Sequence, residues 1–229
     1  MRNIKAIFKV SVISYVKIHA FIGTAAFFVL LPLVLYLLTQ DGTQSAAEFV
    51  RMFVPMFVGM SMVGTSSAFV MGDRATMNLR FMSMAGVKPY QYLAGTGGSL
   101  LAISFVIMVI YSQISGYWGN ELLAFLAIGT LGASIAILLG MSIGMFKYPW
   151  LGQPVGMLLA FGTMLSEANE TLANIFRFSF IQQLNDAFNS LVEYGNVNMA
   201  QTMPILLVNA AVVVAMFVLV NWKNGLYKV

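Results

Sequence analysis

The chain has 229 residues, of which 59% are hydrophobic and 9% charged, and its mean hydropathy is +0.84; soluble domains carry roughly 25% charged residues. This composition excludes a soluble globular protein and points to an integral membrane protein. The absence of cysteine excludes disulfides, thiolate metal sites and cysteine nucleophiles. The net charge of +4 is explained by membrane topology rather than by nucleic acid.

In residues 1–18, Ile4, Ile7, Phe8, Val12 and Tyr15 share one helical face and Arg2, Lys5 and Lys9 another, the pattern of a helix lying in the membrane surface. A secretory signal has a similar outline. The run from His19 to Leu38, however, is long enough to span a bilayer at about 20 residues, and Thr39-Gln40-Asp41 offers no small-x-small cleavage site. Five more apolar runs follow, Met52 to Met71, Tyr92 to Ile114, Leu122 to Phe146, Trp150 to Leu165 and Met203 to Trp222. The predicted fold is all-α, a single transmembrane domain over residues 1–229 with six membrane-spanning helices. With the amino terminus inside, all of the 12 basic residues except Arg51 and Arg177 fall on the cytoplasmic side, and of the 8 acids only Asp73 does. This is the positive-inside arrangement. An even number of spans returns the carboxyl terminus to the cytoplasm of a multi-pass cell-membrane protein.

Residues 72–90, between the second and third runs, form a polar island carrying Asp73, Arg74, Arg80 and Lys88. On the basic side of a membrane such a break folds as a short helix that meets a soluble partner. Its residue order resembles the elbow after the second span of permeases in the type-2 ATP-binding-cassette (ABC) exporter family. The family's acidic residue and arginine are matched by Asp73-Arg74, its small residue and threonine by Ala75-Thr76, and its leucine-rich turn by Leu79 to Met84. Gly86-Val87 and the Tyr92-Leu93 pair that opens the third span complete the match. Ala75 stands where the family usually has Gly.

Further along, residues 166–201 make a long outer segment. Within it Leu172, Ile175, Phe176, Phe180, Leu184, Phe188 and Leu191 recur at helical spacing among polar residues. This predicts one helix, or two broken near Ser179 or Asn185, lying at the outer surface or dipping into it. The ABC type-2 family has short outer helices at this position. Phe176, Phe180 and Leu184 are the candidate outer gate, with an amphipathic covering lid as the alternative.

No G-x-x-x-x-G-K-[ST] phosphate loop is present, so the chain holds no nucleotide, metal or other cofactor site of its own. The central parts of the six runs contain no acid or base, where an ion-coupled carrier buries a titrating group. His19 is the only histidine and no acid lies at depth, which argues against an enzyme. Gly132, Ala136, Gly140 and Gly144 form a small-residue stripe along the fourth run that allows a helix to approach closely. In the second run Met52, Met56 and Met60 beside Phe53 and Phe57 read either as a path for lipophilic cargo or as ordinary packing. Asn169-Glu170-Thr171 matches a glycosylation triplet.

The resemblance implies a permease subunit that moves a hydrophobic or amphipathic substrate (peptide, drug or lipid-like) outward. It implies a separate ABC ATPase subunit that binds ATP and Mg, a second identical or homologous permease subunit, and a lipid environment. Asp73, Arg74, Asn78, Leu79, Arg80, Phe81, Met82, Gly86 and Val87 would form the coupling surface toward the ATPase. The rival classes are an ATP-independent carrier or channel and a non-transporting immunity or anchor protein.

Overall fold

The computed structural model describes residues 2–17, 27–28, 30–31, 33–34, 37–38, 46–146, 149–166, 169–197 and 199–224. His19, most of the first predicted span, Thr39-Gln40-Asp41, Lys147 and Lys228 lie outside the described residues. The described residues are helical and include no strand. Besides the helical residues among 27–38, the described residues form these α-helices in order: α1 Arg2–Lys17, α2 Ala46–Ala75, α3 Asn78–Met84, α4 Pro89–Ser115, α5 Asn120–Gly144, α6 Gly152–Ser166, α7 Glu170–Phe176, α8 Phe180–Tyr194 and α9 Met199–Asn224. Four of them, α2, α4, α5 and α9, are long and apolar enough to cross a membrane. The predicted fifth run is the 15-residue helix α6, short of the roughly 20 residues a span requires.

Two helices contain a π turn. In α2 the turn at Phe57–Met62 follows Pro55, whose missing N–H and ring bulk disturb the preceding turn. In α4 the turn is Leu93–Gly97. Each lies where a neighbour comes close. A Cβ on Gly95 would meet Ile7 Cγ2 of α1 at 2.5 Å, and one on Gly156 of α6 would meet the Gly59 carbonyl oxygen of α2 at 2.5 Å.

The core is built around α5. The small-residue stripe acts as predicted, bringing backbone to backbone: a Cβ on Gly140 would stand 2.0 Å from Ser66 Oγ and 2.3 Å from the Val63 carbonyl oxygen, both on α2. Gly144 continues this contact against the Ser67 carbonyl and Val70, while Gly132 receives Leu184 of α8. Within a membrane, helix association depends on such close van der Waals packing, since lipid tails are as apolar as the side chains they would replace. Phe57, Leu100, Met108, Ile128 and Ile135 fill the space around it and are fully buried. The 26-residue α9 lies at the periphery, with Leu207, Val208, Val212 and Leu219 exposed, as expected of a lipid-facing helix.

The predicted outer segment forms two helices, with the break at Ser179, one of the two positions expected. Asn169 caps α7 by accepting from Thr171 N at 2.9 Å, so the asparagine of the glycosylation triplet is engaged in a helix start. Ser179 Oγ caps α8 by accepting from Gln182 N at 3.1 Å. Helix α8 does not rest on the surface. Phe180, Ile181, Leu184, Phe188 and Leu191 are buried among α2, α5, α6 and α9, and Gln183 and Asn185 are buried with them.

Two glycines on these helices should respond oppositely to alanine. Gly140→Ala forces α2 and α5 apart and should destabilise the protein by about 1–3 kcal/mol. Gly72→Ala points into open space and should stabilise its helix by about 0.5–1 kcal/mol. Thermal unfolding of the purified protein in detergent measures both.

Candidate functional site

The elbow is a tight turn with a chemical reason at each step. Helix α2 ends as Thr76 folds back on the Gly72 carbonyl, through its N–H at 3.0 Å and its hydroxyl at 2.8 Å. Met77 then adopts a left-handed conformation, φ 58°, and α3 begins. Gly86, φ 74°, closes α3: its N–H donates to the Ser83 carbonyl at 2.9 Å and that of Val87 to the Met82 carbonyl at 3.0 Å. This paired pattern relies on glycine at the left-handed position. Lys88 is extended ahead of Pro89, the first residue of α4, a position where proline loses nothing by lacking an N–H.

Two charged side chains anchor this turn to the bundle. Asp73 Oδ2 accepts from the buried Tyr92 hydroxyl at 2.7 Å and Oδ1 from Asn78 Nδ2 at 3.2 Å. One carboxylate thereby joins the end of α2 to the starts of α3 and α4. Arg74 Nη1 donates to three carbonyls at the carboxyl end of α5, those of Gly144 at 3.3 Å, Met145 at 2.8 Å and Phe146 at 3.1 Å. A helix ends with unpaired carbonyls and a partial negative charge, so the guanidinium satisfies both.

The sequence pattern groups these two residues and Leu79 with the outward-facing ones, and the structure gives them inward contacts. Asp73 and Arg74 bond to their own chain, and Leu79 is fully buried, held by the core as the root of α3. Met82 is half-buried against that core. The face α3 turns outward consists of Phe81, 62% exposed, and Met84, 76% exposed, with exposed Arg80, Asn78 and Gly86 around them. Val87 is half-buried.

Beside the elbow lies α1. Ile7 is buried against Gly95, and the Ser11 and Thr96 hydroxyls are 3.4 Å apart. Phe8, Val10 and Ile13 are exposed on the same helix as Lys5 and Lys9. On the predicted apolar face Ile7 is buried against α4, and Phe8, beside Gly98 of the same helix, is partly exposed.

The residues read as a path or a gate differ in burial. Phe53 and Phe57 are buried. The Phe57 ring packs edge-on against Phe28 at 6.0 Å and Tyr111 at 6.2 Å, and the Tyr111 hydroxyl donates to the Phe28 carbonyl. Met56 and Met60 are half-buried against the core, and Met52 is 42% exposed. Phe176 packs on Gly162 of α6, Leu184 occupies the gap left by Gly132 of α5, and Phe180 is buried. At the end of the bundle opposite the elbow, Phe188 and Tyr117 flank Phe125 at 5.0 and 5.4 Å. Burial first and the nearby Glu121 second push the Tyr117 phenol up to about 12, against the pull of Arg51. Among the described residues, no group of three or more metal-ligating side chains occurs.

Comparison with protein-family models, with curated proteins and with solved structures returned no match.

Two expectations follow. Arg74→Gln removes the charged donor from the end of α5 and should cost about 1.5–3 kcal/mol; faster amide exchange in the last turn of α5, with slow exchange kept in its middle, identifies the cause. For Tyr117, the unfolded phenol ionises near pH 10 and the folded one near pH 12, so its contribution to stability is complete below pH 10 and lost between those values. Tyr117→Phe should flatten the alkaline fall over that window in a pH series of unfolding temperatures.

Proposed function

We propose that the chain is the membrane-spanning subunit of an ABC exporter of the type-2 kind. It would have six spans, the segment from His19 to Leu38 and α6 joining the four long helices, with both termini in the cytoplasm of a cell. A separate ATPase binding ATP and Mg drives it, and a second permease subunit completes the path.

The observation that supports this reading best is the construction of α3. A seven-residue helix is rooted by Leu79 and flanked by the Asp73 and Arg74 bonds to α4 and α5, while Phe81 and Met84 face away from the chain that anchors them. A helix so short is not stable in isolation; its packing and flanking bonds keep it in place. Large apolar side chains beside a basic one form a surface suited to a protein partner. A partner that grips α3 moves the ends of α2, α4 and α5 together. Such a movement converts closure of an ATPase pair into a rearrangement of helices. The cargo consistent with the apolar interior is hydrophobic or amphipathic.

The test is a double substitution of the outward face. Phe81→Asp with Met84→Asp leaves Leu79, Asp73 and Arg74 intact, so insertion and folding should match the parent chain. Burial of each side chain at an interface is worth about 1.5–3 kcal/mol. Co-purification of the ATPase should therefore fall by at least about tenfold. Recovery of the ATPase at the parent level would overturn the reading.

A further inference from the structure

The end of the bundle opposite the elbow holds a cavity of about 220 Å³ between the first turns of α2, the last turns of α6 and the second turn of α8. The exporter reading makes no use of it. Glu48 and Arg51, three residues apart and therefore on one side of α2, both line it, and Met52, Pro55 and Met164 supply apolar wall. Among the described residues, neither the carboxylate nor the guanidinium is taken up by a hydrogen bond or an ion pair; Arg51 acts on Tyr117 only through its field.

Depth identifies what such a cavity meets. The apolar run from Met52 to Met71 lies wholly within α2. At 1.5 Å per residue it measures about 30 Å, the thickness of the hydrocarbon layer. Glu48 and Arg51 therefore stand in the headgroup layer, and Met52 and Pro55 among the first acyl carbons. The cavity presents an acid and a base at headgroup height, with apolar wall directly beneath. Its volume is many times that needed by one water, enough for a phosphate, a two-carbon link and an ammonium.

We infer that this cavity binds a membrane phospholipid of the phosphoethanolamine class. Glu48 accepts hydrogen bonds from the primary ammonium, Arg51 donates to the phosphodiester, and the acyl chains leave past Met52, Pro55 and Met164. Choline lipids are disfavoured because a trimethylammonium has no N–H to donate. Glycerol headgroups offer no cation to Glu48. The inference rests on α2 crossing a membrane and is independent of the exporter assignment.

The full chain is reconstituted in vesicles of equal parts phosphatidylethanolamine, phosphatidylcholine and phosphatidylglycerol, then extracted in mild detergent, and its retained lipids are counted by native mass spectrometry. Phosphatidylethanolamine should be enriched about tenfold over phosphatidylcholine, the value of one charge-assisted hydrogen bond. Glu48→Gln should abolish that preference, and Arg51→Gln should reduce retention of all three lipids. Equal retention of the ethanolamine and choline lipids by the parent chain would overturn the inference, as would preferential retention of phosphatidylglycerol. Unchanged enrichment in the Glu48→Gln chain would do the same. The comparison of lipids on the parent chain decides the matter even where a variant fails to fold.

Discussion

The approach of α5 to α2 without intervening side chains is the constraint on which the other contacts depend. With no Cβ at Gly140 or Gly144, the Val63 and Ser67 carbonyls of α2 lie directly against α5, and only one rotation of α5 about its own axis permits this. That rotation turns Gly132 toward Leu184 of α8. The same contact holds the two helices side by side where Arg74 reaches the last carbonyls of α5. A larger residue at either glycine would disturb both ends of the helix at once.

Helix α5, 25 residues and about 38 Å long, is therefore held at two levels by different chemistry. At the elbow the hold is electrostatic, a guanidinium on the negative end of a helix. Farther along it is steric, Leu184 in the gap left by Gly132. Charge-assisted bonds are strong and directional, so the elbow and this end of α5 move as one body. Leucine in a glycine gap resists tilting but has no directional bond to break. On the proposed reading, motion imposed at α3 reaches α8 through this helix.

Much of this was legible in the sequence. Gly86 and the run of charges between two apolar stretches placed the polar turn between α2 and α4. Ser179 was one of two candidate breaks between α7 and α8, and the spacing of Gly132, Gly140 and Gly144 announced a close helix contact. What sequence left open was direction. In Asn78–Met84, apolar residues occur on every side of a seven-residue helix, so nothing local distinguishes Leu79, which is buried, from Phe81, which is exposed. Arg74 read as a surface charge because its partners are backbone carbonyls, and a carbonyl has no sequence signature. The apolar face of α8 was predicted correctly, but periodicity cannot say whether that face meets lipid or protein. Burial of Gln183 beside Leu184, with Gln183 Nε2 donating to the Arg177 carbonyl at 2.8 Å, is a tertiary outcome.

The π turn of α2 divides the functions of that helix. Below it, Val63–Ala75 is locked to α5 through glycine contacts and ends in the elbow. Above it, Ala46–Met56 faces α8 and α6 and lines the cavity of Glu48 and Arg51. Several serines in regular helical turns bond back to a carbonyl one turn earlier, as Ser66 does to Met62 at 2.6 Å and Ser142 to Leu138 at 2.7 Å, whereas Ser104 in the regular part of α4 does not. Ser61, inside the π turn, is buried and among the described residues its hydroxyl has no partner. An unpaired buried hydroxyl costs about 1–3 kcal/mol, and a π turn is a rare departure from regular α-helical hydrogen bonding. Both costs fall at one point of α2, the junction between a segment fixed to the elbow and a segment fixed to the opposite end. A helix that had only to span would be more stable without them, so the widened turn serves the division of α2 into two parts with different partners.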